Sequence, residues 1–220
     1  DRLEAASDFE SELAALMRET IKKHKRIIFN GNNYAKEWVE EAEKRGLLNL
    51  RTTVDALPLF KSEKNIDLFS RHKVLSKSEI IARYEIIMES YWKTLNIEAH
   101  TMSEMVKKDI LPAVLAYTKE LSETLATKKA IGVDITEDAT FELVNTLTKL
   151  TNSLHTRVKA LDDSIAAACA KSELLERAAY FRDTVAVCMS ELRAVVDELE
   201  TLVAAKYWPL PTYGDLLFRI

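Results

Sequence analysis

Two apolar seams in the second half of the chain constrain its fold more than any other feature. Phe141, Val144, Leu147, Thr151, Leu154, Val158, Leu161, Ile165 and Ala168 alternate steps of three and four residues, and Leu174, Ala178, Phe181, Val185, Cys188, Leu192, Val195, Leu199 and Leu202 repeat the rhythm. Such spacing keeps returning to one helix face, as coiled-coil packing requires. Neither glycine nor proline separates the two runs, so a single rod must be weighed. Phase argues against it: the step from Ala168 to Leu174, at ~100° per residue, turns the second seam ~120° away from the first. A tight turn near Cys169 to Ser172, with Ser172 as N-cap and Glu173 behind it, would let both seams face one core. The sequence therefore predicts an antiparallel helical hairpin.

A third long helix precedes the hairpin. In "LSKSEI", Ser76 and Glu79 have the spacing of a capping box, and Leu75 and Ile80 that of a hydrophobic staple. Tyr84, Met88, Tyr91, Leu95, Met102, Met105, Ile110, Val114, Tyr117, Leu121 and Leu125 continue one face to about Thr127. Pro112 removes a backbone donor and crowds the turn before it, which predicts a kink or break just ahead of it. After Gly132, "DITE" offers a second box from Asp134 to Glu137. With four glycines and four prolines the chain has too few special-angle residues for a turn-rich β protein. The predicted fold is all-α, an antiparallel bundle of three or four long helices.

The N-terminal part is less regular. Leu3, Ala6, Phe9, Leu13, Leu16 and Ile21 predict a helix ending near Arg26, and "RIIF" reads as a short extended run. Asn30-Gly31-Asn32-Asn33 then forms a turn, with Gly31 at positive φ and Asn33 or its neighbour capping the next helix. That helix, "YAKEWVEEAEKR", would bury Ala35, Trp38, Val39 and Ala42 and stop at Gly46. Between Leu47 and Lys73, around Pro58, short helices and loops are expected. The chain thus divides into an irregular segment, 1–75, and a helical bundle with its tail, 76–220.

The ending "YWPLPTYGDLLFRI" is not helical through Pro209 and Pro211, yet it is rich in large apolar side chains. Leaving Trp208, Tyr213, Leu217 and Phe218 in water would forgo roughly 1.5–3 kcal/mol for each large side chain. These four residues are the docking candidates, pinned into a groove of this chain or of a neighbour.

Reactive chemistry is scarce. A net charge of -4 provides no footprint for nucleic acid or for an anionic membrane. No stretch approaches the ~20 apolar residues of a membrane span, and no signal-peptide pattern opens the chain, so a cytoplasmic protein is expected. Asp1 in place of an initiator methionine points to a segment of something longer. Cys169 and Cys188 lack redox or zinc spacing and read as buried reduced thiols. His24, His72, His100 and His155 fall on separate elements without metal-ligand spacing. Glu40, Glu41 and Glu43 read as a solvated helix face. No phosphate-cradling glycine loop and no nucleophile with an obvious base are present. "NGNNY" offers donors for an anion at a helix start, but turn chemistry accounts for it with fewer assumptions.

Three stretches carry a resemblance: "HKRIIFNGNNYAKEWVEEAEKRGLLNLRTTVDALP", "LFSRHKVLSKSEIIARYEIIMESYWKTLNIEAHTM" and "WPLPTYGDLLF". In this order they resemble the carboxy-terminal part of type III glutamine synthetases, the large bacterial form. "TTVDALPLF" followed by "HKVLSKSEIIARYEIIMESY" is also similar to the end of the catalytic domain of ordinary glutamine synthetases. Beyond Trp92 the similarity is to type III enzymes only. The resemblance implies a parent that joins ammonia to glutamate with ATP, through a γ-glutamyl phosphate held by Mg or Mn, in ring-shaped homo-oligomers of the cytoplasm. It places the family's metal, nucleotide and substrate residues before Asp1, so no catalytic, cofactor or metal residue is assigned here. The expected role is assembly or regulation by a non-catalytic helical region. A free-standing helical interaction module and a metabolite-sensing bundle are the alternatives.

Overall fold

A computed structural model describes residues 2–136 and 138–218. Its regular structure is helical throughout, with no strand among the described residues. The chain divides into two compact units, 1–52 and 53–220.

The first unit holds α1 (Phe9–Lys23), a short 3-10 turn (Lys25–Ile27) and α2 (Lys36–Lys44). α1 starts later than the apolar spacing from Leu3 implies, because Asp8 takes extended backbone angles and accepts from the Ser11 N–H at 3.3 Å. The 3-10 turn takes the first half of "RIIF", Arg26 and Ile27, and Ile28 has the extended angles expected of the run. α2 ends as predicted at Gly46, whose φ of +71° permits a double closure: Gly46 N–H to Glu43 O and Leu47 N–H to Ala42 O, both 2.9 Å.

The asparagine turn differs from expectation in two respects. Gly31 is not at positive φ; Gly46 and Gly132 are the glycines that are. Its small size matters instead, since a Cβ there would sit 2.7 Å from the Phe29 ring. Phe29 is thereby free to lie on Trp38, centroids 4.6 Å apart. Nor does Asn33 cap α2: Ala35 holds the N-cap position without a side-chain bond, and Asn32 closes the loop by accepting from the Tyr34 N–H at 3.0 Å. Arg45 completes this local closure, donating to Glu41 at 2.6 Å and to the Ile28 carbonyl at 2.7 Å.

The second unit opens with two short helices, α3 (Thr53–Phe60) and α4 (Glu63–Arg71), as the weak periodicity implied. Both pack on α5 (Lys77–Met105). Ser76 and Glu79 form the predicted box, satisfying two donors that the helix start leaves open. A π turn (Val106–Ile110) joins α5 to α6 (Leu111–Ala130), immediately before Pro112. Pro112 has no N–H for the carbonyl of Lys108, and the rod answers by widening rather than breaking.

α7 (Ala139–Cys169) does not begin with an Asp134–Glu137 box. Glu137 lies outside the described residues, and the Asp134 carboxylate is already engaged by the Thr136 N–H at 2.9 Å and hydroxyl at 2.6 Å. The cap is Asp138, which accepts from the Thr140 N–H and from Lys128 Nζ, each at 2.7 Å. One carboxylate thus starts α7 and ties it to the last turn of α6. The Lys128 ammonium and the Thr140 donors hold its pKa at about 2, below the ordinary 3.8. A depressed carboxyl contributes stability above its unfolded pKa and loses it as pH falls to the folded one, here between about 4 and about 2. Asp138→Asn keeps a capping side chain but removes the charge, so thermal midpoints measured across that window should fall less steeply than in the unmodified chain.

The bend between the seams is present. α7 stops at its C-cap, Ala170, and α8 (Leu174–Tyr180) runs through a second π turn (Phe181–Val185) into α9 (Ala186–Leu202). Ser172 is not the N-cap; Glu173 occupies that position without a side-chain bond. Arg177 closes the turn instead, its guanidinium donating to the Lys171 carbonyl at 2.8 Å. That bond satisfies a carbonyl of the bend and leaves the first N–H groups of α8 without a side-chain acceptor.

α7 packs against α6 on one side and α9 on the other, while α5 packs against α7 and α8. Leu147, Leu154, Leu161, Phe181, Leu192 and Leu199 are fully buried, so both seams line one core. The bundle is the all-α antiparallel arrangement that the spacing implies. Beyond α9 the chain is irregular through both prolines, then forms one helical turn, α10 (Tyr213–Leu217), where a wholly non-helical tail was expected.

Candidate functional site

The polar side chains of the bundle hold helices together. Ser103, almost fully buried on α5, donates to Asp162 of α7 at 2.6 Å, and Lys107 reaches the same carboxylate at 2.5 Å. Burial pushes the Asp162 carboxyl up, but the bonds from Lys107 and Ser103 together outweigh it and leave the pKa below the ordinary range. An ionised, ion-paired carboxylate is a weak base, so the serine gains no nucleophilic activation. Arg182 of the second π turn bonds Asp55 of α3 at 2.5 Å and Asp183 at 2.6 Å, fastening the short helix to the bundle.

The four histidines fall at the C-cap of α1 (His24), the C-cap of α4 (His72), and within α5 (His100) and α7 (His155). Among the described residues no group of three or more His, Cys, Asp or Glu side chains could hold a metal ion. Neither cysteine is buried as expected: Cys169 is exposed and Cys188 half-buried, because Cys169 ends α7 at the bend and Cys188 sits at the margin of its seam. Among the described residues no helix is long and apolar enough to cross a membrane.

The tail combines residues bonded to the bundle with exposed apolar ones. Glu120 on α6 receives the Tyr207 hydroxyl and, at 2.9 Å, Lys206 Nζ. Those two donors lower the Glu120 pKa, and the carboxylate in turn raises the pKa values of Lys206 and Tyr207. The Tyr207 ring lies 5.6 Å from that of Tyr117. Trp208 and Leu210 pack on the core. The indole N–H of Trp208 is buried without a partner. Thr212 and Asp215 then form a capping box, with the Thr212 N–H donating to Asp215 at 2.8 Å, so the last turn is closed by its own side chains. Beyond that box the apolar residues face solvent: Leu216 is 64% exposed, Leu217 71% and Phe218 77%. Of the docking candidates, Trp208 therefore packs within this chain, Leu217 and Phe218 do not, and the side chain of Tyr213 lies outside the described residues.

Next to the tail runs a cleft of about 540 Å³ between the end of α5, the first π turn and α9. Met102, Met105, Val106, Met189, Val196 and Leu210 make it largely apolar, and Glu98, Asp197 and Glu200 stand at it with a single Arg193. Arg193 is bonded to Asp197 at 3.4 Å. Sequence reading placed Met102 and Met105 on a core face and did not single out Met189. It missed the cleft because a helix face shows which residues turn inward, not whether a neighbour fills the space before them.

Fold and surface together define a class: a helical extension whose polar groups brace its own helices and whose apolar end is left uncovered. Residues 12–129, more than half of the chain, match the glutamine synthetase C-terminal domain family, and the chain belongs to that family. It is 38% identical over 216 residues to a glutamine synthetase of Butyrivibrio fibrisolvens, an alignment covering 98% of this chain and 31% of the relative. A type-3 glutamine synthetase of Dictyostelium discoideum is 33% identical over 210 residues, covering 92% of this chain and 28% of the relative. A glutamine synthetase of Bacteroides fragilis is 25% identical over 207 residues, 92% and 28%. The chain spans less than a third of the length of these curated relatives.

Proposed function

We propose that this chain is the non-catalytic C-terminal region of a glutamine synthetase and serves assembly of the parent homo-oligomer. On this reading ATP and Mg or Mn act in the remainder of the parent, which forms glutamine from glutamate and ammonia in the cytoplasm. Residues 1–75 are then the close of the catalytic domain and 76–220 the extension. The observation that carries the reading is the exposed end, where Leu216, Leu217 and Phe218 stand in solvent on a box-capped turn while Trp208 and Leu210 of the same tail pack on the core. Exposed large apolar side chains gathered at one spot mark surfaces that meet protein.

The test uses the whole parent enzyme carrying Leu217→Asp and Phe218→Asp. Light scattering should report smaller species than the unmodified enzyme gives at the same concentration, with the helical circular dichroism of this region unchanged. An undiminished assembly would overturn the role. Glutamine formation by residues 1–220 alone would overturn its non-catalytic part.

A further inference from the structure

We infer that Asn30 is a site of spontaneous covalent modification, at which the Gly31 backbone nitrogen displaces the side-chain amide as ammonia and an aspartyl or isoaspartyl residue results. Cyclisation of this kind needs freedom at both ends: the side chain must swing its carbonyl carbon onto the next backbone nitrogen, and that nitrogen must be unshielded. Asn30 lies outside every regular element, between the 3-10 turn and α2, and both it and Gly31 are exposed. Among the described residues neither the Asn30 side chain nor the Gly31 N–H has a hydrogen-bond partner. Glycine brings no Cβ to shield its nitrogen and leaves the backbone free to turn. Packing holds glycine at this position, because a Cβ at 31 would meet the Phe29 ring that lies on Trp38. The contact that anchors the loop therefore keeps the reactive pair in it.

The other asparagines lack one requirement or more, and none of them precedes glycine. The Tyr34 N–H, which would attack Asn33, is bonded to the Asn32 side chain, so one contact restrains both residues. Asn65 donates to the Leu59 carbonyl at 2.7 Å, and the Ile66 N–H behind it is held by the Ser62 carbonyl at 2.9 Å. Asn96, Asn145 and Asn152 stand within α5 and α7, where the following N–H belongs to the helix. Asn49 is exposed in a loop, but the side chain of Leu50 crowds the nitrogen that follows it.

A bond forms from Gly31 N to Asn30 Cγ, the Cγ–Nδ2 bond breaks, and the Gly31 proton leaves with the amide as ammonia. Water then opens the five-membered imide at either carbonyl. One opening gives an aspartyl residue; the other routes the main chain through the former side chain and adds one carbon to the backbone. Both add a negative charge. The extra carbon falls between Phe29, stacked on Trp38, and Asn32, which holds the Tyr34 N–H. A short span anchored on both sides must buckle or release an anchor, so the modification loosens the entry to α2.

The chain spans less than a third of its relatives' length, so the sample for the test is the native whole enzyme, in which the rest of the parent is present. It is incubated in mildly alkaline buffer made with heavy-oxygen water, and its peptides are mapped by mass spectrometry. Position 30 should exchange its amide for labelled oxygen at least about tenfold faster than any other asparagine of this chain, since only there does glycine carry the attacking nitrogen. A protein isoaspartate methyltransferase with a labelled methyl donor should mark the same peptide. Asn30→Gln, whose imide would need a six-membered ring, should abolish both signals and leave the remaining peptides unchanged. An Asn30 amide that survives in the native enzyme overturns the site, and so it does if another part of the parent covers the loop. Conversion at Asn30 no faster than at Asn32, Asn33 or Asn49 also overturns it, because the selectivity argued from exposure and free hydrogen-bonding groups would be absent.

Discussion

Phe181→Ala should lower the folding stability of the chain by about 3–5 kcal/mol, the range for deleting a buried aromatic ring. Phe181 is fully buried in the second π turn, and its ring stacks on Trp92 of α5 with centroids 5.8 Å apart and planes 26° from parallel. The Arg177 guanidinium, which closes the bend at residue 171, lies 4.8 Å from the Trp92 ring centroid. Removing the phenyl group exposes one face of the indole to a void and loosens the surface on which that guanidinium rests. Phe181→Leu, which keeps most of the volume, should cost under about 1.5 kcal/mol. Urea unfolding followed by circular dichroism separates the two. A loss below about 1 kcal/mol for alanine would mean that the bend and α5 are not packed as described.

Leu154→Ala should be nearly as severe, about 3–5 kcal/mol, because Leu154 is fully buried midway along α7. α7 packs on α6 and on α9 at once, so closing the void from one side opens it on the other. The same truncation at Leu216, 64% exposed, should change the unfolding free energy of dissociated chains by less than about 0.5 kcal/mol. Two leucines with one side chain thus differ only in what surrounds them. Equal losses at both positions would contradict the assignment of core and uncovered end.

How much of this was legible beforehand varies by element. The seams, the bend near residue 170, the Ser76–Glu79 box and the stop at Gly46 follow from spacing and from residues whose backbone preferences are strong. Caps were read less well. Asp134 and Ser172 have capping chemistry, yet the N-cap positions fall at Asp138 and Glu173: Thr136 occupies the Asp134 carboxylate, and α8 starts one residue after Ser172 would place it, with no side-chain cap. The π turn before Pro112 has a sequence cause; the one at Phe181–Val185 has neither proline nor glycine to announce it. Of the four tail residues singled out, only the packing of Trp208 within this chain is settled by its own contacts.

What the sequence determined unaided is the set of rods and the face each one buries, because an α-helix is made of bonds between near neighbours and repeats every ~3.6 residues. What the tertiary structure decided is which surfaces meet and which stay open. Glu120 finds Tyr207 across 87 positions, a cleft opens beside Leu210, and three apolar residues of the tail end in solvent. Such pairings leave no local trace, since they depend on where whole helices come to rest and not on the order of residues along any one of them.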